Sequence, residues 1–365
     1  MPRSVSAVLD VSELDLSQDA ASLTAALVDV ESVSGNEARL ADLVERALGE
    51  LPLALERDGN VVLARTDRGR ARRVVLAGHL DTVPVVGNVP SRLVDGVLHG
   101  CGTTDMKSGV AVMLRVAYLV GTGALDPGVD LTWVLYDCEE VEAARNGLGR
   151  LARTRPDVLA GDLAVLLEPT DGVVEGGCQG TLRVAVRTSG VRAHSARSWL
   201  GTNAIHAAAP VLGRLAAYEA RVVQVDGLTY REGLNAVRIE GGVAGNVIPD
   251  ECVVTVNYRF APDRSPADAL AHVRDVFHDA EVELTDSAPG ARPGLDSAVA
   301  AEFVAAVGGT PRAKLGWTDV ARFGGLGIPA LNFGPGDPNL AHKPEEHVPV
   351  QQVLDAETAL VRFLS

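Results

Sequence analysis

The sequence predicts an α/β protein in two parts, a domain whose central sheet is flanked by helices and a two-layer α+β module inserted into it. Three observations lead there. The chain has 365 residues, more than the roughly 250–300 at which a single hydrophobic core stops growing. Short apolar runs alternate with longer helical patterns on either side of a middle stretch. That middle stretch, about 180 to 291, has the element order β-α-β-β-α-β and is bracketed by Gly- and Pro-bearing crossings.

Residues 13–50 read as an amphipathic helix. Leu23, Leu27 and Val30 fall at helical spacing, and Leu40, Leu43 and Leu48 resume it after a break at Ser34-Gly35-Asn36. Continuous apolar runs at 73–77, 130–136, 162–167 and 329–333 suit strands buried on both faces, with helices near 108–120 and 148–153 between them. The module reads as a strand at 181–188, a helix at 204–219, strands at 236–241 and 251–260, a helix at 266–279 and a strand at 281–285. The implied division is 1–179 with 292–365 for the outer domain and 180–291 for the inserted one.

A formal charge of −15 disfavours nucleic acid or an anionic membrane as partner, because both reward a basic surface. The opening stretch, MPRSVSAVLDVSELDLSQDA, has no continuous apolar region of the signal-peptide kind, and no run approaches the ~18 apolar residues a membrane span needs. Cys101, Cys138, Cys178 and Cys252 include no CxxC pair, which fits reduced thiols. The expectation is a soluble cytoplasmic protein.

Five segments place a metal-binding side chain just past an apolar strand or at the start of a helix. They are Gly78-His79-Leu80-Asp81, the loop 101–109 with Asp105, Asp137-Cys138-Glu139-Glu140, Leu167-Glu168-Pro169-Thr170, and Ala341-His342-Lys343-Pro344. In open α/β sheets ligands gather beyond the carboxyl ends of strands, so segments far apart in sequence can converge there. A mixed His/carboxylate set suits Zn²⁺, and two ions need a shared carboxylate. Singly, each has a plainer role: Asp105 as a helix N-cap, Glu139 and Glu140 as solvated loop charge, His342 as a polar loop residue.

Together and in this order, the segments resemble the aminoacylase/carboxypeptidase family of co-catalytic zinc hydrolases, from near the start of the chain to its end. The resemblance implies a zinc-hydrolase catalytic domain with a central mixed sheet flanked by helices, and an inserted two-layer α+β (ferredoxin-like) dimerisation domain. It implies two Zn²⁺ per subunit, with Co²⁺ able to substitute. His79 and Glu168 would hold one ion, Glu140 and His342 the other, and Asp105 would bridge them. Asp81 would orient His79, and the Asp105–Met106 peptide bond would be cis. Glu139 would take the proton of the attacking water and return it to the leaving nitrogen. His194 would stabilise the oxyanion in the active site of a partner subunit, making the protein a homodimer joined through the inserted domain. Asn246, Arg259, Gly316 and Thr318 match substrate contacts, Arg259 by a fork suited to a carboxylate.

The substrate implied is a small N-acyl amino acid. A narrower likeness, carried by ARPGLDS (291–297), GWTDVARF (316–323) and NFGPGDPNLAHKPEEHVP (332–349), implies hydrolysis of N-succinyl-LL-2,6-diaminopimelate to succinate and LL-2,6-diaminopimelate. In the corresponding enzymes of many Gram-negative bacteria a basic pair precedes the glycine that opens the inserted domain, where this chain has Gly177-Cys178-Gln179-Gly180. A sister hydrolase, such as an acetylornithine deacetylase or a carboxypeptidase, therefore stays open. A zinc-binding protein without catalysis is the reading from another class, and the presence of Glu139 beside all five ligand positions weighs against it.

Overall fold

The computed structural model describes residues 11–365, so the opening stretch read above for a signal peptide lies partly outside the described residues. The chain forms two compact units. The first runs to Gly176 and includes Gly294–Arg312 and Arg322–Ser365; the second comprises Gly177–Pro293 with Ala313–Ala321.

The first unit is built on a mixed sheet. Its centre is four parallel strands in the order Asp130–Tyr136, Arg73–His79, Leu163–Leu166 and Ala330–Asn332. All four are buried along almost their whole length, as continuous apolar runs require when helices cover both faces. An antiparallel hairpin, Ala54–Asp58 and Val61–Arg65, extends one edge, and Glu175–Gly176 runs antiparallel on the other side. The helix Lys107–Gly121 lies over the Arg73–His79 strand and against the helices Ala20–Val28 and Val350–Leu364. Gly78 allows that approach, since a Cβ there would stand 2.9 Å from Met106 Cε and 3.0 Å from Met113 Sδ.

The helix expected over 13–50 is two helices, Ala20–Val28 and Ala38–Gly49. Asp19 caps the first by accepting the Ser22 N–H at 2.7 Å. The chain stays out of helix through residues 29–37 because this segment is tied elsewhere: Val33 bridges Thr82, and the Ser34 hydroxyl donates to Asp81 Oδ2 at 2.7 Å.

The second unit has the two-layer order expected. Its antiparallel sheet runs Gly233–Gly241, Glu251–Phe260, Gly180–Ser189, Glu281–Ala288, with the helices Ala209–Ala216 and Pro266–Val276 contributing to its core. Strict alternation of burial along Glu251–Phe260 marks a sheet with one covered face. The helix expected over 204–219 is interrupted at Ala208, because Pro210 follows at a position where its ring lacks a donor, and it stops at Ala216. A further hairpin, Val222–Val225 with Leu228–Arg231, turns on Asp226-Gly227, both at positive φ (47° and 84°) as a two-residue hairpin loop demands.

Candidate metal centre

The carboxyl ends of the parallel strands deliver the polar side chains. His79 is the last residue of its strand, Glu168 stands two residues past Leu166, and Glu139 and Glu140 follow Asp130–Tyr136 through Cys138, which sits at φ 57°. Asp105 precedes the helix Lys107–Gly121, which reaches the strand end because Gly109 has no side chain: a Cβ there would lie 2.1 Å from the Leu167 carbonyl oxygen. Asp105 is not that helix's N-cap; Met106 holds the position and the Asp105–Met106 bond is cis.

Asp105 stands between the two histidines. Its Oδ1 is 3.2 Å from His79 Nε2 and its Oδ2 is 3.3 Å from His342 Nε2, while His342 Nε2 is also 2.8 Å from Glu140 Oε1. Two potential ligand groups result, each with donor atoms within 4.8 Å of one another: His79, Asp105 and Glu168, then Asp105, Glu140 and His342. A third grouping, His79 with Glu139 and Glu140, brings Glu139 to the same place. Nitrogen and oxygen donors at ~2.0–2.2 Å from one ion stand roughly 3.0–3.6 Å apart, so the spacings around Asp105 fit ions with small adjustment.

Supporting side chains hold this arrangement. His79 Nδ1 can only donate to the Asp81 carbonyl at 3.0 Å, which makes Nε2, beside Asp105, the nitrogen that would serve a metal. The Asp81 carboxylate accepts the N–H groups of Glu139 and Glu140, each at 3.0 Å, and so fixes the loop that carries both. Buried Glu346 accepts the N–H groups of Gly102, Thr104 and Asp105 at 2.8–3.0 Å, gripping the loop of the shared carboxylate. Burial pushes Glu346 up to about 7 against those donors. Glu37 accepts from Gly35 N–H at 2.7 Å and from the N–H and thiol of Cys138, so its grouping with Asp137 and Cys138 is a brace for the loop. Glu346 falls within the 332–349 motif, yet two adjacent acids in a polar loop carry no sign of which one turns inward; Glu37 and Ser34 have no sequence signal at all.

Charge is strongly organised here. Burial opposes the charged form of His79, but the Asp105 and Asp81 carboxylates outweigh it and hold this imidazole well above its usual value. Asp105 and Glu140 raise His342 to about 10. At about 10, the His342 ring is protonated at neutral pH without an ion and must release its proton to become a ligand. Metal uptake at pH 7 is expected to liberate at least one proton, with affinity falling at least ~10-fold per unit decrease in pH. Titration calorimetry in buffers of differing ionisation enthalpy reads the number; release of none would contradict the ligand role of His342.

His194, Asn246, Arg259, Gly316 and Thr318 lie on the second unit. His194 and Asn246 are neighbours there: His194 pairs with Val247, and the Asn246 carbonyl accepts the Ser195 N–H at 2.9 Å. The exposed His194 ring accepts the Ala196 N–H on Nδ1 at 3.0 Å, so its neutral form carries the proton on Nε2. Arg259 is half-buried; burial and nearby Arg183 lower its pKa. Gly316 is exposed, whereas Thr318 is buried and its carbonyl accepts the Cys178 thiol.

The model of the family described as Peptidase family M20/M25/M40 matches residues 75–365. A Corynebacterium glutamicum protein named succinyl-diaminopimelate desuccinylase is 51% identical over 361 residues, covering 96% of this chain and 98% of its own. A Mycobacterium tuberculosis protein given that name provisionally is 59% identical over 355 residues, covering 96% and 99%. Among solved structures, a dinuclear metal-binding M20 peptidase from Bacillus subtilis superposes with a TM-score of 0.70 at 16% identity, covering 94% of this chain and 96% of its own.

Proposed function

The chain belongs to peptidase family M20/M25/M40, and we propose that it hydrolyses the amide bond of N-succinyl-LL-2,6-diaminopimelate to give succinate and LL-2,6-diaminopimelate for lysine and cell-wall synthesis. It is a metal-dependent amidohydrolase with a dinuclear site. The observation that carries the chemistry is Asp105, one carboxylate whose two oxygens face two different histidines. The substrate is supported by the names of the relatives at 51–59% identity over nearly the whole chain.

Zn²⁺ is the ion favoured by two imidazoles with carboxylates, and Co²⁺ would occupy the same donors because this set discriminates weakly between them. His79 and Glu168 would hold one ion, Glu140 and His342 the other, with Asp105 between. When bound, the ions supply Lewis acidity that lowers the pKa of water toward neutrality and polarises the scissile carbonyl. The chain's residues do the rest. The Glu139 carboxylate takes the proton of the attacking water as oxygen adds to the amide carbon, then delivers it to the leaving nitrogen as the C–N bond breaks. Nε2–H of His194 is a ready donor for the oxyanion. Arg259, with Asn246, Gly316 and Thr318, would meet the substrate's polar ends.

His194 would act in the active site of a second copy, in a homodimer joined through the second unit. Support comes from the edge strand Gly233–Gly241, exposed along most of its length with Val237 at 59% and Ile239 at 49%. An apolar open edge invites pairing with another strand. Sedimentation should find a dimer, and Val237→Lys with Ile239→Lys should give a poorly active monomer; a fully active monomer would remove His194 from the scheme. The cytoplasm is the compartment proposed, in keeping with four buried free cysteines and no described helix long and apolar enough to cross a membrane.

The deciding measurement compares kcat/KM for N-succinyl-LL-2,6-diaminopimelate and N-acetylornithine, with a chelated control. Preference for the succinyl substrate of at least ~100-fold is expected, because a site built for a second carboxylate leaves polar groups unpaired without it. The reverse preference would keep the dinuclear chemistry and assign a sister activity.

A further inference from the structure

We infer that His99 and His347 form an additional metal site, separate from the centre around Asp105, which takes one divalent transition-metal ion such as Zn²⁺ through two imidazole nitrogens. The residues are direct register partners on the antiparallel strands Val97–His99 and His347–Pro349, so both side chains leave the same face of a three-stranded sheet. Their ring centroids are 5.0 Å apart with the planes 38° from parallel. Two nitrogens at ~2.0–2.1 Å from one ion stand roughly 3.3 Å apart, which rings at that separation reach by small side-chain rotations.

The tautomer suits ligation. His347 Nδ1 faces the Glu345 carbonyl at 2.7 Å and so carries the proton, leaving the Nε2 lone pair for a metal. His99 makes no side-chain hydrogen bond to another described residue. Burial, with His347 and Arg92 beside it, holds its pKa below the usual value and keeps it in the neutral form that binds metals. Both rings line a pocket of about 330 Å³ together with Asn88 and Glu345, whose oxygens could complete the coordination with water. Arg92 lies opposite His99 on the third strand, so its charge opposes a bound cation and makes this the weaker site, filled after the Asp105 centre. An ion here would clamp the strands flanking Glu346, since His347 follows Glu346 directly and the Gly100 N–H bonds the Glu346 carbonyl at 3.1 Å. The site would thus stiffen the support of the Asp105 loop.

Equilibrium dialysis of the full chain against Zn²⁺, followed by elemental analysis, tests the site in the parent, His99→Ala and His347→Ala. Each variant should bind one ion fewer than the parent at saturating free Zn²⁺. The difference between proteins is the readout, so this result stands apart from how many ions the Asp105 centre holds. Labelling of the unmutated chain with diethyl pyrocarbonate gives a measure free of folding artefacts: Zn²⁺ should protect His99 and His347 together. Equal stoichiometry in all three proteins overturns the proposal. So does protection by inorganic phosphate but not by Zn²⁺, which would point to an anion held by Arg92 and protonated imidazoles.

Discussion

Glu139→Gln is expected to cut kcat by about 10²–10⁴-fold, the usual contribution of a general acid–base, while metal content stays at the parent level. The substitution conserves volume and keeps the backbone N–H that Asp81 Oδ1 accepts at 3.0 Å, so the loop should not move. What it removes is the ability to hold a proton between water and the leaving nitrogen. Glu139 lies close enough to His79 and Glu140 to reach a water at the centre, but it belongs to neither of the two groupings that contain Asp105. A residue that acts on the proton alone should lower kcat and kcat/KM equally and leave KM unchanged. Elemental analysis beside steady-state kinetics separates the roles: parallel loss of ions and turnover would make Glu139 a ligand. Glu140→Gln supplies the contrast, because Glu140 contacts His342 at 2.8 Å and its loss should lower metal content as well.

Much of this centre was legible because the chemistry sits where strands end. The runs before His79, Glu139 and Glu168 are apolar enough to be strands buried on both faces, and a polar residue directly after such a strand is unusual unless something holds it there. The braces were not legible. Glu37 acts through Cys138 across about a hundred residues of sequence, and Ser34 reaches Asp81 only because the chain leaves helix over 29–37. No spacing encodes such contacts. The Asp81 carbonyl accepts the His79 ring N–H, and its carboxylate, 3.5 Å from the same nitrogen, also takes the N–H groups of Glu139 and Glu140, a second task that the sequence does not announce. Gly59-Asn60 and Asp226-Gly227 are two-residue hairpin signals, and each joins an antiparallel pair.

Asp105→Ala is expected to abolish binding of both ions in a single step and to reduce turnover at least ~10³-fold, to the level of the chelated parent. Any other ligand change should empty one position and weaken the second. Asp105 alone has an oxygen on each histidine, and the loop bearing it is held by three N–H groups on Glu346, so no neighbouring carboxylate can replace it without moving that loop. The variant should still fold, since alanine at this position leaves the Glu346 contacts to the backbone in place. Stability makes the test independent of activity. A ligand that binds only the folded state adds about 2.7 kcal/mol at a hundred times its Kd, so Zn²⁺ should raise the melting temperature of the parent by several degrees. The same addition should leave Asp105→Ala almost unmoved, apart from any contribution of His99 and His347, which His99→Ala in the same background removes. A full thermal shift persisting in that double variant would mean that Asp105 does not join the two ions, and the shared-carboxylate arrangement would have to be abandoned.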